Sequence, residues 1–188
     1  MRIISGKLKG KSIDFLKNLT TRPLKDSVKE NIFNILMHSN LINSKVEKSN
    51  ILDLYSGIGS FGLECISRGA NHVTFVERNK EALEILKENL TKLSISNQAS
   101  ILEHSIENIF DGFDNNKKKF DVFFLDPPFA DDKFIQILNL IKKKELYNNK
   151  HIIIVHRERE SCDVLDKTIN TLIVKEYGRS KIIFGVFK

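Results

Sequence analysis

The chain has 188 residues, of which 41% are hydrophobic, enough for the core of one domain or of one domain with a small appendage. No apolar run approaches the roughly 18 residues of a membrane span, and the N-terminus lacks the apolar segment of a secretory signal. Two cysteines, Cys65 and Cys162, are too few for a disulfide framework and form no spaced metal motif. We therefore expect a cytoplasmic protein that contacts no membrane and holds no metal.

The net charge of +6 is unevenly distributed. Residues 1–29 carry eight basic and two acidic side chains, whereas residues 30–188 carry 22 of each. A basic arm on an electrically neutral body favours a polyanionic partner. The same count also fits a lysine-rich, solvated tail, so charge alone does not identify the partner.

The N-terminal residues predict a small β-hairpin. Residues 2–4 and 12–16 are strand-forming, and the sequence GKLKGK between them carries two glycine turn signals. We assign residues 1–24 to a basic hairpin arm and residues 25–188 to a single catalytic domain.

Beyond the arm, the apolar pattern alternates between helical and strand periods. Helices are predicted from Asp26, over 58–67, behind an Asn79 cap, around 106–110 and behind Asp131 or Asp132. Strands are predicted at 51–54, 72–76, 100–103, 120–125, 151–155, 171–176 and 181–187. The last two are joined by a tight turn and should pair antiparallel. The sequence therefore predicts an α/β fold: a mainly parallel seven-stranded sheet with helices on both faces and a C-terminal antiparallel hairpin.

The segment ILDLYSGIGSFG, residues 51–62, predicts a ligand loop. A strand that breaks into glycines spaced G-x-G-x-x-G and then a helix presents bare backbone N–H groups to a ligand. Such a loop also occurs as a tight turn without a ligand. Asp53 favours the ligand, because an unpaired carboxylate inside an apolar strand end is costly.

Glu77 follows the second core strand, twenty residues after Gly57, where an acid can accept both hydroxyls of a ribose. In a parallel sheet the ligand lies beyond the carboxyl ends of the strands, where Asp53, Glu77 and Asp126 all fall. NAD and S-adenosylmethionine both carry a ribose. Asp53 favours the second, since an acidic strand end suits the amino group of its methionine moiety.

The tetrapeptide Asp126-Pro127-Pro128-Phe129 indicates a site for an amine. Two prolines hold the chain extended, so that the Asp126 carboxylate and the Pro127 carbonyl can face one point. Both groups are acceptors that could hold a substrate NH₂ with its lone pair toward an electrophile. Phe129 could stack on a base, a contact worth about 1–3 kcal/mol. A Pro-Pro turn with a buried Phe is the purely structural alternative.

These motifs resemble a known series. DLYSGIGSFG, VE at 76–77 and LDPPF at 125–129 resemble the motifs of class I S-adenosylmethionine-dependent methyltransferases that act on exocyclic amines. RIISGKLKGKSI and TRPLKDSVKENIFNIL more narrowly resemble the RsmD family of bacterial 16S rRNA guanine-N2 methyltransferases. The resemblance implies a Rossmann-like fold, S-adenosylmethionine as cofactor, and 16S rRNA or the small ribosomal subunit as partner. We expect a monomer.

The resemblance also assigns roles by position. Asp126, Pro127, Pro128 and Phe129 would hold the flipped guanine. The cofactor would contact Asp53, Ser56, Gly57, Gly59, Glu77, Arg78, Ser105, Arg22 and Pro23. RNA would contact Arg2, Lys7, Lys9, Lys11 and Lys25. The chain departs from the pattern at His104-Ser105, where relatives usually place an Asp or Asn for the adenine amine, and at His156, where a Glu is expected.

Three other functions compete with this one. A DNA adenine-N6 methyltransferase shares DPPF, but the chain has no separate region large enough for DNA recognition. An NAD-dependent oxidoreductase would explain the glycines and leave DPPF unexplained. A catalytically idle RNA-binding module would not need an intact DPPF and glycine loop. A histidine general base is not required, because the methyl sulfonium is a potent electrophile and the amine loses its proton after attack.

Overall fold

A computed structural model describes residues 1–15, 24–103 and 119–188. The strands are β1 (Asn50–Leu54), β2 (His72–Val76), β3 (Ala99–Leu102), β4 (Phe120–Leu125), β5 (Tyr147–Glu158), β6 (Ile169–Tyr177) and β7 (Ser180–Phe187). The α-helices are α1 (Asp26–His38), α2 (Ser60–Ser67), α3 (Lys80–Lys92) and α4 (Phe134–Lys143), with a short 3₁₀ helix at Ser96–Gln98. The helix predicted around residues 106–110 lies outside the described residues.

The seven strands form one sheet in the order β3-β2-β1-β4-β5-β7-β6. β1 pairs in parallel with β2 and β4, and the parallel part extends to β3 and β5. β7 runs antiparallel to both β5 and β6. The predicted fold class is therefore confirmed. Because the strand order reverses at β1, the crevice beyond its carboxyl end is the place where such sheets bind ligands.

Side chains alternate between two apolar layers along the central strands. Phe124 of β4 packs with α1, α2 and α3 on one face, whereas Phe123 packs with α4 on the other. Both rings are at most 3% exposed. Burial of each such side chain stabilises the fold by about 1.5–3 kcal/mol. The nearly continuous apolar runs that predicted β1 and β4 are thus those of a sheet covered on both faces.

Helix starts follow local chemistry. The Asn79 side chain accepts the N–H of Ala82, so the predicted cap of α3 is confirmed. α2 begins at Ser60, two residues later than predicted, because Gly57 and Gly59 take left-handed φ angles of 54° and 85° in the preceding turn. The cap position of α4 is Lys133, so the predicted Asp cap is wrong; Asp131 instead accepts the Lys133 N–H one residue before the helix.

The predicted N-terminal hairpin is present as a tight antiparallel turn closed by one bridge between Arg2 and Ser12. It packs on the sheet domain, since Ile3 and Ile13 are buried in the same apolar layer as α1. The Glu64 carboxylate of α2 accepts the N–H groups of Ile4 and Ser5 at 2.7 and 2.9 Å. In the part of the chain described here, no helix has the length and apolar character to cross a bilayer.

Candidate active site

A cavity of about 740 Å³ opens at the carboxyl ends of the parallel strands. It brings together most of the site residues predicted from the sequence: Asp53, Ser56, Gly57, Glu77, Arg78, Asp126, Pro127, Pro128, Phe129 and Lys25. The turn between β6 and β7 and the exposed Phe15 ring also line the cavity. Arg22, Pro23 and Ser105 lie outside the described residues.

The N–H groups of the three loop glycines, predicted to be bare, all have acceptors within the protein: Glu77 for Gly57, the Ser56 carbonyl for Gly59 and Asp53 for Gly62. A Cβ at Gly57 would meet nothing within 4 Å, so its backbone stands open to the cavity. A Cβ at Gly59 would lie 2.5 Å from the Leu86 side chain, because Gly59 packs against α3. Gly59 is not among the residues that line the cavity, and the Phe75 ring also lies 3.2 Å from its Cβ position. Tyr55, which precedes the loop, holds a φ of 60°, a costly conformation of the kind that clusters at functional sites.

Asp53 is 1% exposed at the end of β1. Its Oδ2 accepts the N–H of Gly62, in the first turn of α2, at 2.9 Å. Burial raises the pKa of this carboxyl well above 3.8; the Gly62 bond opposes that rise, and the charges of Asp126 and Glu77 add to it. Among the described residues, nothing donates to Oδ1. A buried acceptor without a donor costs about 1–3 kcal/mol, and a cationic ligand group would satisfy it.

Glu77 is held by backbone donors. Its Oε2 accepts the N–H of Gly57 at 2.7 Å, and its Oε1 accepts those of Arg78 and Asn79 at 2.9 and 2.8 Å. A carboxylate has about four lone-pair directions, so it can still accept from a ligand hydroxyl. Glu77 therefore both shapes the glycine loop and presents an oriented acceptor beside it.

His156, whose role the sequence left open, contacts the Asp126–Phe129 segment. Its Nδ1 lies 2.8 Å from Asp126 Oδ1, and its ring meets the Phe129 ring edge to face at 6.0 Å. Leu125 of β4 pairs with Val155 of β5. Asp126, which follows β4, therefore lies beside His156 of β5. The sequence alone does not predict this contact, because it depends on the register between β4 and β5.

Lys29 was counted with the basic arm but is fully buried. Its Nζ donates to the Ser60 hydroxyl at 3.1 Å and to the Arg2 carbonyl at 3.3 Å, which ties the arm to the first turn of α2. Burial lowers the pKa of Lys29, while the nearby charges of Glu64 and Asp26 raise it. In the sequence, Lys29 lies on the apolar stripe of α1 with Ile32 and Leu36, and this position indicates that its side chain is buried.

The predicted RNA-contacting side chains occupy two places. Lys25 lies at the cavity. The hairpin tip, with Lys7, Lys9 and Lys11 exposed, is fixed at the opposite end of α2, where the Lys7 N–H donates to the Ser67 carbonyl at 2.8 Å. Eight helical residues span about 12 Å, so the tip stands roughly that far from the cavity end of α2.

A family profile described as conserved hypothetical protein 95 matches residues 1–186. The chain belongs to this family. It is 32% identical to ribosomal RNA small subunit methyltransferase D of Buchnera aphidicola subsp. Baizongia pistaciae over 187 residues, covering 100% of this chain and 91% of the relative. It is 35% identical to the Haemophilus influenzae protein of the same name over 161 residues, covering 85% and 80%.

The fold of this chain is similar to that of a solved structure. The Escherichia coli protein yhhF superposes with a TM-score of 0.81 at 23% identity, covering 100% of this chain and 98% of that one. The resemblance to the RsmD family read from the motifs is confirmed, and with it the methyltransferase class of enzyme.

Proposed function

We propose that this protein transfers a methyl group from S-adenosylmethionine to the exocyclic N2 of a guanine in 16S rRNA, in the bacterial cytoplasm. The observation that carries the proposal is that the amine-binding motif, Asp126 to Phe129, shares one cavity with Asp53 and Glu77. The names of the relatives support small-subunit rRNA as the substrate. The choice of guanine N2 rests on the family resemblance and on the acceptor character of Asp126.

The cavity residues fit S-adenosylmethionine. Its volume of about 740 Å³ lies within the range of about 300–1,000 Å³ for ligand sites. Asp53 Oδ1 would accept from the ammonium of the methionine moiety, Glu77 would accept from the ribose hydroxyls, and the open backbone at Gly57 would allow close approach. The bound cofactor supplies a methyl sulfonium electrophile.

Asp126 would orient the substrate amine. His156 occupies Asp126 Oδ1, which leaves Oδ2 and the Pro127 carbonyl to accept the two N–H groups of the guanine NH₂. With both hydrogens held, the nitrogen lone pair points toward the methyl group. Alignment of this kind accounts for about 7–11 kcal/mol of barrier in well-oriented reactions. The amine then releases its proton after methyl transfer, so Asp126 acts by orientation.

Phe129 would hold the extruded base. Its half-buried ring faces the cavity, and the edge of the His156 ring fixes its tilt. Extruding a base costs a few kcal/mol, and stacking on an aromatic ring offsets about 1–3 kcal/mol of that cost.

The remaining contacts complete the proposal. Residues 1–24 would act as the RNA-docking arm of a methyltransferase domain at 25–188, with Arg2, Lys7, Lys9, Lys11 and Lys25 on phosphates. Gly59 would support the cofactor loop, while Ser56, Arg78, Ser105, Arg22 and Pro23 would contact the cofactor itself. We propose a monomer whose direct transfer uses no metal.

The test is transfer of labelled methyl from S-adenosylmethionine to small subunits purified from cells lacking the gene, followed by nucleoside analysis. We expect N2-methylguanosine, abolished by Asp126→Ala and unaffected by Asp166→Ala at an exposed aspartate. Labelled N6-methyladenine on DNA would show that the substrate is DNA and that the enzyme is still a methyltransferase. Absence of both transfer and cofactor binding would leave an RNA-binding module, and binding of NAD in place of S-adenosylmethionine would favour an oxidoreductase.

A further inference from the structure

Arg157 is a cation buried behind the amine-binding motif. It follows His156 on β5, and its side chain is 4% exposed. Its Nη1 donates to the Pro128 carbonyl at 3.1 Å, and its Nη2 donates to the Phe129 carbonyl at 3.0 Å. One guanidinium therefore holds the backbone of two successive residues of the motif.

Asp163 and Phe134 fix the guanidinium in turn. Arg157 Nε donates to Asp163 Oδ2 at 2.8 Å and Nη2 to Oδ1 at 3.0 Å, a two-point pair with a side chain that is 8% exposed. Burial raises the pKa of Asp163, but hydrogen bonds from Arg157 and Ser161 and the charges of Arg157 and Lys181 lower it overall. The Phe134 ring lies 4.7 Å from the guanidinium carbon. The side chain is thus held in a single orientation.

The motif needs such an anchor because its own backbone supplies few bonds. Pro127 and Pro128 have no N–H, and the N–H of Asp126 reaches the Leu54 carbonyl only at 3.4 Å. The Pro128 carbonyl also accepts the Asp131 N–H at 2.8 Å, whereas the Phe129 carbonyl is held by Arg157. The guanidinium has the planar fork that can bind two carbonyls and a carboxylate at once, which a lysine ammonium cannot reproduce.

We propose that Arg157, locked by Asp163, is the positioning residue for the Asp126–Phe129 segment and sets where the target base stacks. The inference rests on the proposed function, in which this segment holds the amine. A buried ion pair that served the fold alone would lower stability when changed but would not move the segment selectively. Arg157 should instead affect transfer to the base and leave cofactor binding intact.

The experiment uses the absence of tryptophan from the chain. Phe129→Trp places a single tryptophan on the segment, which can be excited selectively over the three tyrosines, and keeps an aromatic face. Adding Arg157→Lys should at least double acrylamide quenching of that fluorophore. In the Phe129 background, Arg157→Lys should lower kcat/KM for small subunits at least tenfold, mainly through kcat, with the Kd for S-adenosylmethionine within twofold.

The control is Arg159→Lys. Arg159 pairs with Glu176 at 2.9 Å, and both side chains are about half exposed, so neither readout should change. A folded Arg157→Lys protein with unchanged quenching and unchanged kcat/KM would overturn the proposal, as would a parallel loss of cofactor affinity. If Arg157→Lys unfolds, Asp163→Asn takes its place with the same expectations, and unfolding of both would assign the pair to the fold alone.

The two proposals fail separately. If the unaltered protein transfers no methyl group, the proposed function fails, whereas the quenching result still reports on the segment. If the unaltered protein is active and Arg157→Lys matches it in both readouts, the positioning role alone fails.

Discussion

His156 Nδ1 lies 2.8 Å from Asp126 Oδ1, across the junction of two parallel strands. In the proposed function, this contact would leave the other carboxylate oxygen of Asp126 for the substrate. It also gives a role to a residue that departs from the family pattern.

We expect His156→Ala to lower kcat by about 10- to 100-fold, because a hydrogen bond to a charged group contributes about 1.5–3 kcal/mol. His156→Asn should recover much of the loss, since the Asn amide nitrogen stands close to the position of Nδ1. Steady-state methyl transfer to small subunits measures both variants. If His156→Ala has the wild-type kcat, His156 does not orient Asp126 for the reaction.

Asp53 should limit stability while serving the cofactor. Burial raises the pKa of Asp53 in the folded protein above its ordinary value of 3.8. At a pH between the unfolded-state pKa and the folded-state pKa, the folded state therefore binds more protons than the unfolded state. Stability therefore falls as pH rises through this window, by about 1.4 kcal/mol for each unit that separates the two pKa values. Below the unfolded pKa the penalty vanishes.

Asp53→Asn should accordingly raise the cofactor-free unfolding free energy at neutral pH, with the gain shrinking toward pH 3.8. The same variant should weaken S-adenosylmethionine binding about 10- to 100-fold through loss of a charge-assisted hydrogen bond. Urea unfolding across pH and calorimetric titration measure the two effects. A pH-independent stability change would contradict the assigned cause.

Glu77 offers a complementary test of the cofactor loop. Glu77→Gln replaces one acceptor oxygen with an NH₂ that would face a backbone N–H, either at Gly57 or at Arg78 and Asn79. We expect about a tenfold or greater loss of cofactor affinity, again from a charge-assisted bond of about 1.5–3 kcal/mol. Glu84→Gln, at an exposed position of α3, is the matched control. If Glu77→Gln and Glu84→Gln bind S-adenosylmethionine with equal affinity, Glu77 has no role in cofactor binding.

The strand ends of the site were predictable, because a short apolar run of strand-forming residues marks each strand and parallel strands align their carboxyl ends. That rule places Asp53, Glu77 and Asp126 together from the sequence alone. It could not reveal His156 as a partner of Asp126, since the contact depends on the register between β4 and β5. Arg157 was missed because β5 was predicted to end at Val155, three residues before its last residue.

Glycine patterns were only partly informative. G-x-G-x-x-G predicts a turn with exposed N–H groups. Gly57 has open space around it, but its N–H donates to Glu77 Oε2 at 2.7 Å, so that part of the prediction is wrong. Gly59 and Gly62 are required for close packing, against Leu86 and Phe75 respectively. The sequence cannot separate these uses, because both leave the same residue at the same spacing.

Gly6 is predicted to be indispensable to the N-terminal hairpin. Its φ is 82°, and a Cβ there would lie 1.9 Å from the Ser67 carbonyl oxygen. Gly10 has a similar φ of 84° but open space around it, so it isolates the backbone cost of about 1–2 kcal/mol. Gly6→Ala should therefore lower the unfolding free energy by at least about 1 kcal/mol more than Gly10→Ala, since overpacking typically costs about 1–3 kcal/mol. Urea denaturation checks the difference, and equal losses would mean that the hairpin can lift away from α2 at little cost.

Lys9 and Lys11 should bind RNA away from the cavity. Because the hairpin tip is fixed at the far end of α2, loss of its charges should weaken docking without disturbing the reacting groups. We expect Lys9→Gln with Lys11→Gln to raise KM for small subunits and to leave kcat unchanged. Each lost phosphate contact should reduce the slope of log affinity against log salt by about 1.

The control pair is Lys143→Gln with Lys150→Gln, at exposed positions on α4 and at the start of β5. If the control pair changes the salt slope as much as the tip pair, RNA binding follows net charge and the hairpin has no special role; a fall in kcat would instead place the tip within reach of the chemistry.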